Sequence, residues 1–226
     1  MGLNSYFFEV ITHIENNQEV PYFVESKLND LVNLLDDNDL AEFFVAVLSS
    51  HKAEHVFRYL HRRQIFNYIK CFDTIANLSR VPQRKGRAKN AWEHTMNVVA
   101  ATPFDNIDLR WVALLHDVGK YQSFMQDDNF HYHANYSYDF ARNFVKIYDV
   151  THAEKICTIV KNHMFPADYQ RNPNWTDEAV KNFSARCNGY ALETIEFAIY
   201  DKRAENDVDE YIKPLKELYG RCKNLG

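Results

Sequence analysis

The chain has 226 residues, enough for one large domain or two small ones with a substantial core. A hydrophobic fraction of 46% predicts a packed globular protein, and only 6 Gly and 6 Pro argue against a β fold with many turns and favour helices. The formal net charge of −5 excludes a general attraction for nucleic acid or anionic membranes, but not a nucleotide substrate, because a bound metal ion would reverse the local field.

The first part of the chain predicts a small helical module. Residues 1–25 are ambiguous, because the apolar run 6–11 fits either a helix or a short strand. Apolar residues then recur along 28–35 at the spacing of one helix face, and Asp39 is a candidate cap for the next helix. A third amphipathic run follows over 56–69.

The polar, basic segment 80–90 is the clearest break in the chain. A solvated loop is the simplest interpretation, and contact with RNA phosphates through residues 80–89 is the alternative. We place a domain boundary here, between an N-terminal helical module (residues 1–89) and a helical bundle (residues 90–226).

Six amphipathic runs after this break predict helices, so the whole chain is predicted to be all-α. Asp105 and Asp108 are candidate starts for the second run, and Asn188-Gly189 predicts a helix stop followed by a restart. The predicted ranges are 91–101, 107–118, 134–148, 151–163, 176–188 and 190–205.

Four cysteines stand far apart without a CxxC pair, which predicts reduced thiols in a cytoplasmic protein. No stretch is apolar enough to cross a bilayer, and residues 1–10 lack the basic region of a signal peptide. We therefore expect a cytoplasmic location and no membrane partner. The cysteines are Cys71, Cys157, Cys187 and Cys222.

His116-Asp117, at the end of an apolar run, is the most informative pair in the chain. Neither side chain belongs in a core without a partner, and adjacent nitrogen and oxygen donors can reach one cation. Gly119, two residues later, lets a backbone or a phosphate come close. Further histidines and an aspartate stand where helices should face inward, and their order predicts a metal site. They are His94, His133, His163 and Asp201.

This order resembles the HD superfamily of metal-dependent phosphohydrolases over roughly residues 90–205. The family usually has Glu after the third histidine, where Ala134 stands here, so His131 is a rival to His133 as the ligand. The segments that carry the resemblance are Trp92-Glu93-His94-Thr95, Leu115-His116-Asp117-Val118-Gly119-Lys120, His133 with Ser137, Asn162-His163, and Tyr200-Asp201-Lys202-Arg203-Ala204.

A second resemblance, over 42–81 and 175–183, is to the neck and HD region of bacterial tRNA nucleotidyltransferases and poly(A) polymerases. The nucleotidyltransferase head of those enzymes has a Gly-Ser motif and a paired-carboxylate strand motif, and neither is found in this sequence. The resemblance therefore implies an HD hydrolase module and argues against nucleotide addition.

The resemblance implies a divalent-metal site, with Mn, Fe, Ni, Co, Zn or Mg as the ion. Asp117 is the candidate to orient or deprotonate a metal-bound water. Lys120 would neutralise a phosphate oxygen, or else is a cation at a helix C-terminus. Arg203 is a weaker candidate for substrate contact. The implied metal ligands are His94, His116, Asp117 and Asp201.

Two roles stay open for His133 and His163. They hold a second ion beside the first, or they contact the phosphate and donate a proton to the leaving group. Catalytic roles are thus expected for Asp117, Lys120, His133 and His163.

The implied function is a metal-dependent phosphohydrolase or phosphodiesterase acting on a nucleotide or RNA-end phosphate. The expected types are a 2′,3′-cyclic phosphodiesterase, a 2′-nucleotidase or a phosphatase. The alternative is an RNA- or tRNA-binding module that keeps the HD bundle as a scaffold. The expected partner is a phosphorylated small molecule or an RNA end, and the sequence does not specify the oligomeric state.

Overall fold

A computed structural model describes residues 3–83, 88–127, 130–205 and 209–225. These residues form α-helices joined by short loops and 3-10 segments, and their one extended pairing is an isolated bridge between Pro82 and Asn90. The all-α prediction is confirmed. The helices are α1 (Leu3–Glu15), α2 (Tyr22–Leu31), α3 (Asp37–Ser49), α4 (Ala53–Arg62), α5 (Phe72–Ala76), α6 (Ala91–Ala101), α7 (Ile107–Leu115), α8 (Gly119–Asp127), α9 (His133–Ile147), α10 (Ala153–Asn162), α11 (Phe165–Arg171), α12 (Asp177–Arg186), α13 (Ala191–Glu205) and α14 (Asp209–Leu225).

The start of α3 corrects the predicted cap. Asp36, not Asp39, is the capping residue, because its carboxylate accepts hydrogen bonds from the backbone N–H groups of Asn38 and Asp39 at 2.9 Å. The Asp39 carboxylate accepts in return from the N–H of Asp36. Asp39 therefore stands in the first turn as the second half of a capping box.

The start and end of α7 also differ from the sequence-based prediction. Asn106 caps the helix by accepting from the N–H of Leu109, so neither Asp105 nor Asp108 begins it. The helix ends at Leu115, whereas the prediction continued it to residue 118. His116 is the C-terminal cap, which places the His-Asp pair in the turn between α7 and α8.

The predicted stop at Asn188-Gly189 is confirmed. Both residues have positive φ angles, 45° and 86°, and they separate α12 from α13. Four helices, α5, α8, α11 and α14, have no counterpart in the sequence-based prediction. Helix α14 contains Pro214, a residue that usually ends or kinks a helix.

One continuous apolar cluster includes residues from α1 through α10 and from α13. Within it, the buried Phe72 ring stacks on Phe44, with ring centroids 4.1 Å apart, and its centroid lies 5.5 Å from that of Phe144. The cluster extends across the boundary predicted at residue 89. A smaller second cluster joins α11 to α14 and includes Tyr169 and Leu218.

The segment 80–90 is described only in part, because residues 84–87 lie outside the described residues. The predicted RNA contact at 80–89 therefore stays a prediction. The four cysteines are free thiols. No helix among the described residues is long and apolar enough to cross a membrane.

Arg110 joins the ends of two helices in the interior. Its side chain is buried, and its guanidinium donates hydrogen bonds to the backbone carbonyls of Thr102, Leu48 and Ser50 at 3.0, 2.9 and 2.5 Å. These carbonyls lie at the C-terminal ends of α6 and α3, where the last C=O groups have no partner within the helix. The positive charge also complements the partial negative charge of both helix ends.

We expect Arg110→Met to lower the free energy of unfolding by about 3 kcal/mol, because it removes the hydrogen bonds from the guanidinium to the carbonyls of Thr102, Leu48 and Ser50. Chemical denaturation measures this loss. The matched control is Arg171→Met, which removes an exposed ion pair with Asp168 and should change stability by less than about 0.5 kcal/mol. Equal effects of the two substitutions would contradict the role of Arg110.

Candidate metal centre

The structure brings all six predicted ligands together, five of them buried and Asp201 partly exposed. Helix α6 contributes His94, α9 contributes His133 and α13 contributes Asp201. His163 is the C-terminal cap of α10, just as His116 is that of α7. Apolar faces of these helices pack in the core, which directs the few polar side chains on the same faces toward each other.

The first ligand group consists of His94, His116, Asp117 and Asp201. His94 Nε2 lies 3.5 Å from Asp117 Oδ2 and 3.0 Å from Asp201 Oδ1. His116 Nε2 lies 3.3 Å from Asp117 Oδ2 and 3.8 Å from Asp201 Oδ1. Four donor atoms thus converge from α6, α13 and the turn after α7.

The second ligand group consists of Asp117, His133 and His163. The Nε2 atoms of the two histidines are 3.2 Å apart, and they lie 3.4 and 3.9 Å from Asp117 Oδ1. Asp117 therefore belongs to both groups, with Oδ2 facing the first and Oδ1 facing the second.

Local backbone geometry orients three of the four imidazoles. In each, Nδ1 lies within hydrogen-bond distance of the carbonyl oxygen three residues earlier, at 2.9 Å for His116, 2.5 Å for His133 and 2.7 Å for His163. A ring that donates its Nδ1–H in this way turns Nε2 toward the cluster, where it binds a proton or a cation. Sequence reasoning missed these carbonyls, because no side-chain pattern marks them.

The cluster contains polar atoms that the protein itself does not satisfy. His116 Nε2, Asp117 Oδ2 and Asp201 Oδ1 are buried and have no hydrogen-bond partner of suitable geometry. The facing nitrogens of His133 and His163 would repel each other without a positive charge or a proton between them. A divalent ion would satisfy both conditions, so these residues fit a metal site.

The pKa values of the second group favour neutral imidazoles beside an ionised carboxylate. Burial lowers the pKa of His163 to about 3 and also lowers the pKa of His133. Burial alone would raise the pKa of Asp117, but His116 and Lys120 hold it well below its usual value. The neutral nitrogens and the negative oxygen are then all available to a metal.

The pKa values of the first group show where a metal would replace a proton. Burial would raise the pKa of Asp201, but His94 and His116 hold it below its usual value. Burial would lower the pKa of His116, yet the Asp117 and Asp201 carboxylates raise it. A proton and a metal ion therefore compete for His116 Nε2.

The HD domain family model matches residues 87–204, which is 118 of the 226 residues and includes both ligand groups. The chain belongs to the HD domain family. HD domains are generally metal-dependent hydrolases and bind divalent metals. Two groups in the cluster could each hold such an ion: His94, His116 and Asp117, and Asp117, His133 and His163. No curated protein matches the chain.

The other residues predicted for the HD site differ in how buried they are and in what they contact. His133 is buried in the second ligand group, whereas its rival His131 is exposed. The Lys120 Nζ lies 2.6 Å from Asp117 Oδ2. Lys120 stands in the first turn of α8, so its interpretation as a cation at a helix C-terminus is wrong. Arg203 is exposed.

Gly119 permits close contact between α8 and the start of α9. A Cβ atom at this position would lie 2.2 Å from the carbonyl oxygen of His133 and 2.4 Å from the backbone nitrogen of Ser137. The Gly119 N–H donates to Ser137 Oγ at 2.9 Å. The sequence predicted that Gly119 lets either a backbone or a phosphate come close. In the structure, the close neighbour is the backbone that carries His133.

We expect Gly119→Ala to destabilise the protein by about 2 to 3 kcal/mol, because two backbone segments would have to separate. The same shift would move His133 and weaken metal binding by the second ligand group. Chemical denaturation and metal titration measure the two effects.

Gly220→Ala is the matched control. Gly220 lies within α14, and a Cβ there has no neighbouring atom within 4 Å. Alanine should therefore be neutral or should stabilise the helix by up to about 1 kcal/mol. If Gly119→Ala were as mild as this control, the close contact between α8 and α9 would contribute neither to stability nor to metal binding.

Proposed function

We propose that this chain is a metal-dependent phosphohydrolase or phosphodiesterase that acts on the phosphate of a nucleotide or an RNA end. Membership of the HD family supports metal-dependent hydrolysis in general. The observation that carries the proposal is the position of Asp117, whose two oxygens face two separate groups of histidines.

We propose two ions, with Asp117 as the ligand that they share. The first ion would be held by the first ligand group and the second ion by the second. The lowered pKa values of His133 and His163 support this arrangement over leaving-group protonation, because a neutral imidazole that donates its Nδ1–H has no proton on Nε2 to give. Bound divalent ions would polarise a phosphoryl oxygen and lower the pKa of a coordinated water.

Exposure within the site supports one direction of substrate approach. The Asp201 side chain is 32% exposed, although its Oδ1 atom is buried. The other five ligand side chains are at most 7% exposed. In this proposal, a phosphate group approaches over Asp201, and the ionised carboxylates of Asp117 and Asp201 orient the attacking water.

We propose a nucleotide or RNA-end phosphate as the substrate class. The sequence resemblance to the neck and HD region of bacterial tRNA nucleotidyltransferases supports a 2′,3′-cyclic phosphodiester, a 2′-nucleotide or a related phosphomonoester. The shape of the pocket walls, more than the metal ligands, distinguishes such substrates.

We expect the purified protein to hydrolyse 2′,3′-cyclic AMP, 2′-AMP or p-nitrophenyl phosphate when supplied with manganese, nickel or cobalt. His116→Ala and Asp117→Asn should each lower the rate by about 1,000-fold or more, a loss of about 4 kcal/mol of transition-state stabilisation. His55→Ala changes an exposed imidazole outside the cluster and serves as the control with unchanged rate.

Absence of turnover with every metal, together with no bound metal by elemental analysis, would overturn the proposed activity. Salt-dependent RNA binding that survives His116→Ala, without hydrolysis, would instead favour an RNA-binding module built on the HD bundle.

Metal stoichiometry tests the two-ion arrangement independently of the substrate. We expect wild-type protein to bind two ions per chain by elemental analysis and calorimetric titration, and His163→Ala to bind one. Asp117→Ala should weaken both sites, because it removes the ligand that they share. A single ion in the wild type, unchanged in affinity by His163→Ala, would contradict the arrangement.

A further inference from the structure

Lys120 contacts the same oxygen atom toward which the first ligand group converges. Its Nζ lies 2.6 Å from Asp117 Oδ2, while the Nε2 atoms of His94 and His116 approach that oxygen to 3.5 and 3.3 Å. The Lys120 side chain is only 11% exposed, and its Nζ lies 5.7 Å from the centroid of the Phe130 ring. The ammonium is thus held between a buried carboxylate and an aromatic face.

This contact places a positive charge directly beside the buried oxygen. Asp117 Oδ2 has no hydrogen-bond partner of suitable geometry, despite the short distance to Nζ. The oxygen consequently keeps the capacity to bind a cation that approaches from the side of His94 and His116. One carboxylate oxygen therefore faces two places for positive charge, the ammonium and the first ligand group.

We propose that Lys120 and a divalent ion compete for Asp117 Oδ2, so that Lys120 sets the affinity of the first ligand group for metal. Without a metal ion, the ammonium compensates a buried carboxylate that would otherwise be strongly destabilising. With an ion on the same oxygen, two cations lie close together in a poorly hydrated site and repel each other. Lys120 is in this sense a positioning residue, and the inference rests on the proposed ligand role of Asp117.

The test compares Lys120→Met and Lys120→Gln with the wild-type protein, using Mn²⁺ and Ni²⁺ as the probes. Calorimetric titration of chelator-treated protein measures the Kd, and thermal unfolding is followed with and without metal. We expect both neutral variants to bind the metal about tenfold more tightly, or more, because the competing charge is gone. We also expect their melting temperature without metal to fall and its rise on metal addition to exceed that of the wild type.

Two further variants separate competition from general damage. Lys120→Arg keeps the positive charge and should leave the Kd within about threefold of the wild type. Lys155→Met removes a partly buried lysine that pairs with Asp108 and Glu193, away from the metal ligands. It should lower the melting temperature without changing the Kd for metal.

The metal affinity and the folding of the Lys120 variants decide whether the ammonium competes with the ion. Neutral variants that bind metal no more tightly than the wild type would overturn it. If they unfold without metal, recovery of the folded circular dichroism spectrum on metal addition supports it, and failure to recover overturns it. A wild type that binds no metal would instead refute the proposed function, so the two failures are distinguishable.

Discussion

The carboxylate of Asp117 is buried in the turn between α7 and α8, and the surrounding structure compensates its charge from every side. His116 and Lys120 approach one oxygen, and His133 and His163 approach the other. A buried charge of this kind is tolerated only where several partners converge. These partners come from the turn after α7, from α8 and α9, and from the end of α10. The compensation of this one carboxylate therefore depends on how these helices pack together.

The backbone contributes as much to this convergence as the side chains do. Carbonyl oxygens orient the rings of His116, His133 and His163 through their Nδ1 atoms. Gly119 lets the start of α9 approach closely enough for His133 to reach Asp117. Such supports limit the rotation of the ligands, which favours a site organised before metal binds.

The donor atoms that the helices bring together are of the types that bind divalent ions. Imidazole nitrogens and carboxylate oxygens suit divalent ions, and HD domains are generally metal-dependent hydrolases. Asp201 is the most exposed of the ligand side chains, whereas the others are enclosed by helices. The cluster is therefore buried except at Asp201.

Local patterns in the sequence were enough to predict an all-α fold, the range 91–101 of α6 and the residues that meet in the metal site. Amphipathic spacing and the donor chemistry of His and Asp are properties of short segments, so they are visible without a structure. The sequence does not distinguish Asp36 from Asp39 as the cap of α3, because both are aspartates at the start of the same helix. Nor does it show that His133 is buried in the cluster while His131 is exposed. Only the tertiary structure decided that Asp117 presents its two oxygens to different groups and that Lys120 contacts one of them. Those relations join residues from separate helices, and their geometry follows from the packing of whole helices rather than from any local signal.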